Sequence, residues 1–185
     1  TTIFGNNDSL KKLDFDTNYS VDYICFTNNK KIVSKKWKII QVDNSFFHYT
    51  HKLLSKRPDL KDKENILMNR ELKFLPYNYL KEYSFSVYLD AHIKIKKDLT
   101  DFIKTYSIKA DWLSPQHRSG GNILIEAYRC YESDKINKDQ LFSFYTNDKY
   151  DFNVHDIPFS ENGLILRKHN SKENKIFSKL WWNLF

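Results

Sequence analysis

The run Phe85-Ser86-Val87-Tyr88-Leu89-Asp90-Ala91-His92 joins a short apolar segment to a polar end. Its first five residues are rich in aromatic and β-branched side chains, which are typical of a β-strand. Similar runs occur at 22–27, 37–42 and 163–167, with helix-type segments between them. Strands that alternate with helices predict an α/β fold with a mainly parallel central sheet flanked by helices.

Helix-type spacing fills the intervals between these runs. Met68, Leu72, Leu75 and Tyr79 follow one another at steps of four, three and four, and Pro76 should end or kink that helix. Shorter helices are predicted over 98–106, 122–132 and 138–145. Without internal repeats or a long linker, the 185 residues predict a single domain over 1–185, cut short at one or both ends.

Composition removes several classes of protein. The four glycines cannot form a dinucleotide fingerprint or a P-loop, and the two cysteines are too few for a zinc ribbon or a disulfide framework. No apolar run reaches the roughly 20 residues that span a bilayer. The formal net charge of +7 favours an anionic partner. We therefore expect a cytoplasmic protein in a reducing compartment, with peripheral attachment to the inner face of a membrane left open.

Polar residues follow three of the predicted strands, namely Thr27-Asn28, Asp43-Asn44 and Asp90 with His92. Ligands of open α/β sheets bind beyond the carboxyl ends of the strands. On an extended backbone Asp90 and His92 would point to the same side, where a carboxylate and an imidazole suit Mn²⁺ or a similar ion. The alternative is that Asp90 caps a turn and His92 is an ordinary half-buried side chain. His169, after the last predicted strand, could complete the metal site.

Two further positions suggest chemistry. Arg70 and Lys73 lie three residues apart on a predicted helix, so they could clamp a diphosphate, although a solvated face paired with Glu71 or Asp62 fits equally well. Glu126 lies among apolar residues, a setting that suits a general base or an acceptor of sugar hydroxyls. A carboxylate that caps the first turn of a helix is the simpler alternative.

A resemblance runs in order along nearly the whole chain. The sequence resembles the glycosyltransferase-like domain family once filed as a domain of unknown function, which has bacterial polysaccharide and plant Golgi members. The residues that carry it are Phe4-Gly5 with Asp8, 22–28, Trp37, Arg70, 73–76, 88–93, His117, Glu126-Ala127, Cys130, Gln140, Tyr145, 161–170 and Trp181-Trp182.

This resemblance implies a GT-A-like nucleotide-sugar fold, with Asp90 at the position of the D-x-D element. It implies a glycosyltransferase that moves a sugar from a nucleotide-sugar donor to a glycan, or to a lipid-linked or protein-linked sugar acceptor. The implied site residues fall into three groups: Phe4, Gly5, Asp8, Thr27 and Asn28 for base and ribose; Arg70, Lys73 and Asp90 for the diphosphate, with Mn²⁺ or Mg²⁺ at Asp90, His92 and His169; and Glu126, His117 and Glu161 for the donor sugar or the acceptor hydroxyl.

A second function class competes with this interpretation. The positive charge, the many aromatic residues, and Asp90 and Glu126 as ion ligands would also suit a metal-dependent nuclease or a nucleic-acid-binding protein. Nucleic-acid binding would weaken steeply with added salt. A glycosyltransferase of the kind implied above needs no nucleic-acid partner.

Overall fold

A computed structural model describes residues 1–6, 8–17, 20–117, 123–146 and 160–183. These residues form an α/β structure, as predicted, in two compact units: Thr1–Leu113 with Gly163–Phe185, and Ser114–Asn162. The elements of the described chain, in order, are β1 (Thr2–Ile3), β2 (Ile24–Thr27), β3 (Lys38–Gln41), α1 (His48–Lys56), α2 (Glu64–Phe74), β4 (Phe85–Leu89), α3 (Thr100–Ser107), β5 (Trp112–Leu113), α4 (Ile123–Glu132), α5 (Lys138–Tyr145), β6 (Leu164–Lys168) and α6 (Lys172–Trp182).

The strands form two sheets of three strands each in place of the predicted single, mainly parallel one. In the first sheet β1, β2 and β3 lie side by side and parallel. In the second the order is β4-β6-β5, and β6 runs antiparallel to both neighbours, with Leu89 opposite Leu164 and Phe85 opposite Lys168. Strand propensity carries no information about direction, so the sequence located β6 correctly and misjudged how it pairs.

The parallel sheet is covered on both faces, as parallel sheets usually are. One face packs Ile3 and Cys25 into a cluster with Leu89 and Ile95. On the other face Phe26 meets a cluster of Phe47, Met68 and Leu72, the last two from α2. Alternate residues of β2 therefore enter different cores, which explains its continuous apolar run.

The helix predicted around Met68 is α2, and it ends at Phe74, two residues before Pro76. A proline lacks the amide hydrogen and disfavours helical geometry in the residue before it, which accounts for the end point. The helices predicted over 98–106, 122–132 and 138–145 also occur, as α3, α4 and α5. In the described part of the chain, no helix is both long and apolar enough to cross a bilayer.

Helix α1 was not predicted, and its amino-terminal cap comes from another helix. The fully buried carboxylate of Glu71 accepts hydrogen bonds from the amides of Tyr49 at 3.1 Å and Thr50 at 2.6 Å. The hydroxyl of Tyr79 also donates to Glu71. A carboxylate beside a helix amino terminus satisfies free amides and complements the helix dipole. Glu71 thus joins α1 to α2.

Glu71→Gln should lower the free energy of unfolding by about 2–3 kcal/mol, because an amide replaces a buried charged acceptor of several hydrogen bonds. Urea denaturation followed by circular dichroism measures this. Glu64→Gln is the matched control on the same helix: Glu64 pairs with the largely exposed Lys61 at 2.8 Å, and its loss should cost less than about 1 kcal/mol. Equal losses in the two variants would contradict the role assigned to Glu71.

Candidate functional site

The loops that follow β1 and β2 are bound together at the carboxyl edge of the parallel sheet. The side-chain oxygen of Asn28 accepts a hydrogen bond from the amide of Gly5 at 2.8 Å. The side-chain amide of Asn29 donates to the carbonyl of Gly5 at 3.1 Å. The structure therefore brings together Gly5 and Asn28, which the family resemblance assigns to one donor site.

Gly5 is required at this edge by its backbone. Its φ of +76° lies in the left-handed region that favours glycine. A Cβ at this position would lie 3.4 Å from Nδ2 of Asn65, which itself faces the edge because its Oδ1 accepts from Asn28 at 3.1 Å. Asn29 and Asn65 thus contribute polar atoms that the sequence analysis did not predict.

Three predicted donor-site residues have different surroundings. Thr27 is fully buried, and its hydroxyl accepts from the amide of Asn29 at 3.0 Å. Phe4 packs edge-on against Phe47, with ring centroids 5.4 Å apart, so its ring belongs to the core. Asp8 is exposed. Thr27 and Phe4 therefore shape the edge, and their side chains are occupied within the fold.

Asp90 ends β4 and forms an ion pair with Lys73 of α2. The Nζ of Lys73 lies 3.1 Å from Oδ1 of Asp90 and 4.8 Å from the centre of the Tyr88 ring. The Lys73 side chain is 3% exposed and that of Asp90 29%. Burial lowers the pKa of Lys73, and the charge of Asp90 opposes that effect. Lys73 therefore needs this carboxylate to stay charged.

A polar stripe on α2 connects Asp90 with the parallel sheet. Asn65, Asn69 and Lys73 lie four residues apart, which places them on one face of the helix. Asn69 donates to the hydroxyl of Thr2 at 2.7 Å and accepts from the hydroxyl of Tyr88 at 3.3 Å. From Asn65 to Lys73 the stripe extends about 12 Å along α2. One face of one helix thus holds the ends of β1, β2 and β4.

Arg70 adds a second positive charge next to this stripe. It lies one turn before Lys73, is half-buried, and its charge contributes to lowering the Lys73 pKa, after burial. Among the residues described, no carboxylate forms an ion pair with Arg70. Its guanidinium is therefore the cation of this face that remains available to a ligand.

The two predicted histidine ligands have different surroundings. The amide of Ile93 bonds the carbonyl of Asp90 at 3.0 Å, so His92 lies exposed in a turn and not on an extended strand. His169 follows β6, and because β6 is antiparallel to β4 it lies at the opposite end, where its amide bonds Ser84 at 2.9 Å. Its Nδ1 lies 3.1 Å from the carbonyl of Leu80, and burial lowers its pKa.

The structure does not group the three predicted ligands of a divalent cation. His169 lies at the opposite end of β4 from Asp90, and one oxygen of Asp90 holds the ammonium of Lys73. Over the described ranges of the chain, no three His, Cys, Asp or Glu side chains are grouped as metal ligands.

The predicted catalytic residues belong to the second unit. Oε2 of Glu126 lies 4.0 Å from Nε2 of His117 and 3.8 Å from the guanidinium of Arg129. The amide of Glu161 bonds the carbonyl of Pro115 at 2.8 Å. The sequence analysis did not predict that an imidazole and a guanidinium lie beside Glu126. Glu126 therefore lies close to two nitrogen-bearing side chains of the second unit, His117 and Arg129.

Comparisons with models of known protein families, with curated proteins and with solved structures found no match to this chain. The fold and the geometry of the residues described above therefore carry the functional argument.

Asp90→Asn should lower the free energy of unfolding by about 2–3 kcal/mol at pH 7, because it leaves a buried ammonium without its partner. The deficit relative to the original chain should shrink between pH 7 and pH 10. The pKa of Lys73 is lower in the folded chain than its ordinary value of 10.5, so the folded state becomes more stable as the pH rises. Without Asp90 the pKa of folded Lys73 is lower still, and this increase in stability with pH is larger. Urea denaturation at several pH values measures both effects.

Asp59→Asn is the control for this experiment, since Asp59 pairs with Arg57 at 2.7 Å and both side chains are more than half exposed. Its cost should stay below about 1 kcal/mol at every pH. A deficit of Asp90→Asn that is independent of pH would contradict the dependence of Lys73 on Asp90.

Proposed function

We propose that the chain is a glycosyltransferase domain of GT-A-like fold that moves a sugar from a nucleotide-sugar donor to a glycan or to a lipid-linked or protein-linked acceptor. One observation carries the proposal: the polar face of α2 gathers Gly5 and Asn28 at one end and Asp90 at the other. The family resemblance is the basis for the reaction class, and the geometry supports this location for the donor.

The positions of the strand ends support this location. Strand β4 belongs to the other sheet, but it approaches β1, because the Thr2 hydroxyl lies 3.4 Å from that of Tyr88. Open α/β sheets bind ligands beyond the carboxyl ends of their strands. Gly5 comes after the carboxyl end of β1, and Asp90 comes after that of β4.

Each group of residues has a defined task in this proposal. The loops held by Asn28 and Asn29 present short polar side chains and backbone groups to the base and ribose. Arg70 meets the diphosphate, and Lys73 reduces the repulsion between Asp90 and that anion. As the bond between the anomeric carbon and the diphosphate oxygen breaks, negative charge grows on the leaving group, and fixed positive charge stabilises it.

The catalytic roles implied by the resemblance fall to residues of the second unit. Glu126, with His117 beside it, would deprotonate the acceptor hydroxyl or bind the donor sugar, and Glu161 remains an alternative for either role. The Mn²⁺ or Mg²⁺ implied by the resemblance stays a prediction, and none of these steps passes through it.

Nucleoside diphosphates should raise the melting temperature of the chain by several degrees at concentrations well above the dissociation constant, because they bind the folded state alone. A panel of uridine, guanosine, adenosine and cytidine diphosphates in a thermal-shift assay tests this. Repeating the assay in EDTA and with added Mn²⁺ distinguishes binding that relies on Arg70 and Lys73 alone from binding that needs the predicted cation.

Arg70→Ala should abolish this shift, whereas Arg57→Ala should retain it, because the exposed Arg57 pairs with Asp59 outside the proposed site. If no diphosphate stabilises the chain, or if both arginine variants respond as the original does, the donor site is placed wrongly.

Glu126→Gln should keep the diphosphate-induced shift and lose about 10²–10⁴-fold in the rate of sugar transfer or donor hydrolysis, because it removes a proton acceptor and leaves the donor loops unchanged. Release of nucleoside diphosphate from a panel of nucleotide sugars measures the rate. Glu132→Gln, at the exposed end of the same helix, is the control and should turn over normally. Unchanged turnover in Glu126→Gln would transfer the role to another residue.

A further inference from the structure

A cavity of about 360 Å³ lies between the two sheets of the first unit. Its walls include all residues of β4, Phe85–Leu89, and on the other side the consecutive residues from Ser20 to Ile24. Successive residues of a strand point to opposite faces of its sheet, so a cavity that touches five in a row must run along the edge of the strand. We call this cavity the strand groove.

Both sheets present an edge strand to the strand groove. Strand β4 is the outer strand of the antiparallel sheet, and β1 is the outer strand of the parallel sheet. In β1, Thr2 and Ile3 pair with Phe26 and Thr27 of β2. The groove lies beside the residues that come before this pairing, from Ser20 to Ile24. Edge strands carry backbone groups that are ready to pair with a further strand.

The groove is walled on both faces by apolar side chains. Leu72, Pro76 and Leu80 line it from the side of α2, and Ile95, Leu99 and Ile103 line it from the other side. A strand that is covered on both faces is the usual situation in the interior of an α/β sheet. The strand groove therefore has the surroundings of a missing central strand.

One face of the groove also holds buried polar atoms that lack partners. Arg167 is 2% exposed and donates to the carbonyl of Lys73, but within the described chain its Nε has no hydrogen-bond partner. Ser86 lies directly opposite Arg167 in the sheet, and its buried hydroxyl is likewise unpaired. Buried polar groups without partners are costly, so this face is suited to an acceptor such as a carboxylate.

We infer that the strand groove seats an extended peptide strand in line with β1, which pairs with the open edge of β4 and joins the two sheets. On the side of α3 this strand is apolar, and on the side of α2 it carries a carboxylate for Arg167. The inference is independent of the proposed function, because it concerns the edges of the sheets and not their polar carboxyl ends.

The alternation of β1 fixes which residues of such a strand face each side. Thr2 points toward α2, where it meets Asn69 and Tyr88, and Ile3 points into the cluster that contains Ile95. A residue added directly before Thr1 would therefore share the face of Thr2. Ser86 lies two residues before Tyr88 and therefore on the same face of β4. A carboxylate at the added position would thus face Ser86 and the Arg167 opposite it.

The test joins six residues before Thr1, with glutamate next to Thr1 and then valine and threonine alternating so that the valines face α3. We expect the melting temperature to rise by several degrees and amide exchange at Phe85–Leu89 to slow at least tenfold, because new hydrogen bonds protect β4. Mass-spectrometric and NMR hydrogen exchange measure the protection.

Two control segments have nearly the same composition. One shifts the alternation by one residue, which turns the glutamate toward the apolar side, and the other replaces two valines by proline, which removes amide donors. All three segments acylate the amine of Thr1, whose pKa burial lowers to about 6, so the loss of that charge is common to them. Replacing the glutamate of the first segment by valine should reduce the gain in melting temperature.

Equal melting temperatures and equal exchange rates for the first segment and its two controls would overturn the inference. It would also be overturned if inorganic phosphate or acetate protected β4 of the unextended chain as strongly as the first segment does, because the groove would then be a site for small anions.

Discussion

The ammonium of Lys73 is the constraint around which the first unit is arranged. It is buried, and burial alone would drive it toward the neutral form, so the fold has to supply a carboxylate and does so with Asp90 at 3.1 Å. That contact fixes the end of β4 against α2. Tyr88 lies two residues before Asp90, and its ring packs against the Lys73 ammonium. The hydroxyl of Tyr88 donates a hydrogen bond to Asn69.

Helix α2 makes polar contacts on two sides, and this explains its modest apolar content. One side carries the stripe of Asn65, Asn69 and Lys73 that binds the strand ends. Another side places Glu71 at the amino terminus of α1. Hydrogen bonds of buried polar groups are directional, so they fix the orientation of the helix more closely than apolar packing would.

Elements with local signals could be predicted from the sequence. The limits of β4 and α5 agree with the prediction, and α5 begins with a capping box formed by Asn137 and Gln140. The residue before α1 provides no side-chain cap, and the capping carboxylate is that of Glu71, which is distant in sequence. No local sequence pattern therefore predicted this helix. The direction of β6 depends on the path of the chain before it and not on its own residues. The sequence analysis assumed a parallel strand and therefore predicted His169 at the same end as Asp90, whereas it lies at the opposite end.

The candidate site divides in the same way. Asn28 and Asp90 could be predicted because polar residues at strand ends are a local pattern with a structural meaning, whereas Gly5 was implied only by the family resemblance. Asn65 and Asn69 could not, because amides four residues apart on a helix look like a solvated surface until a sheet lies against them. Lys73 was identified as a ligand-binding cation, whereas its nearest partner is the carboxylate that was predicted beside it.

The ion pair also bears on how charge could be supplied to a diphosphate. A divalent cation on the carboxylate of Asp90 would lie roughly 4 Å from the Lys73 ammonium, and their repulsion at an effective dielectric constant of 20 is about 8 kcal/mol. Metal binding there would require Lys73 to lose its proton or to leave the carboxylate. While the pair is intact it is neutral overall, and the charge that an anion meets at this face is that of Arg70. In the proposed donor site the positive charge would come from α2, the helix that also contacts the ends of β1, β2 and β4, so folding and anion binding would depend on the same element.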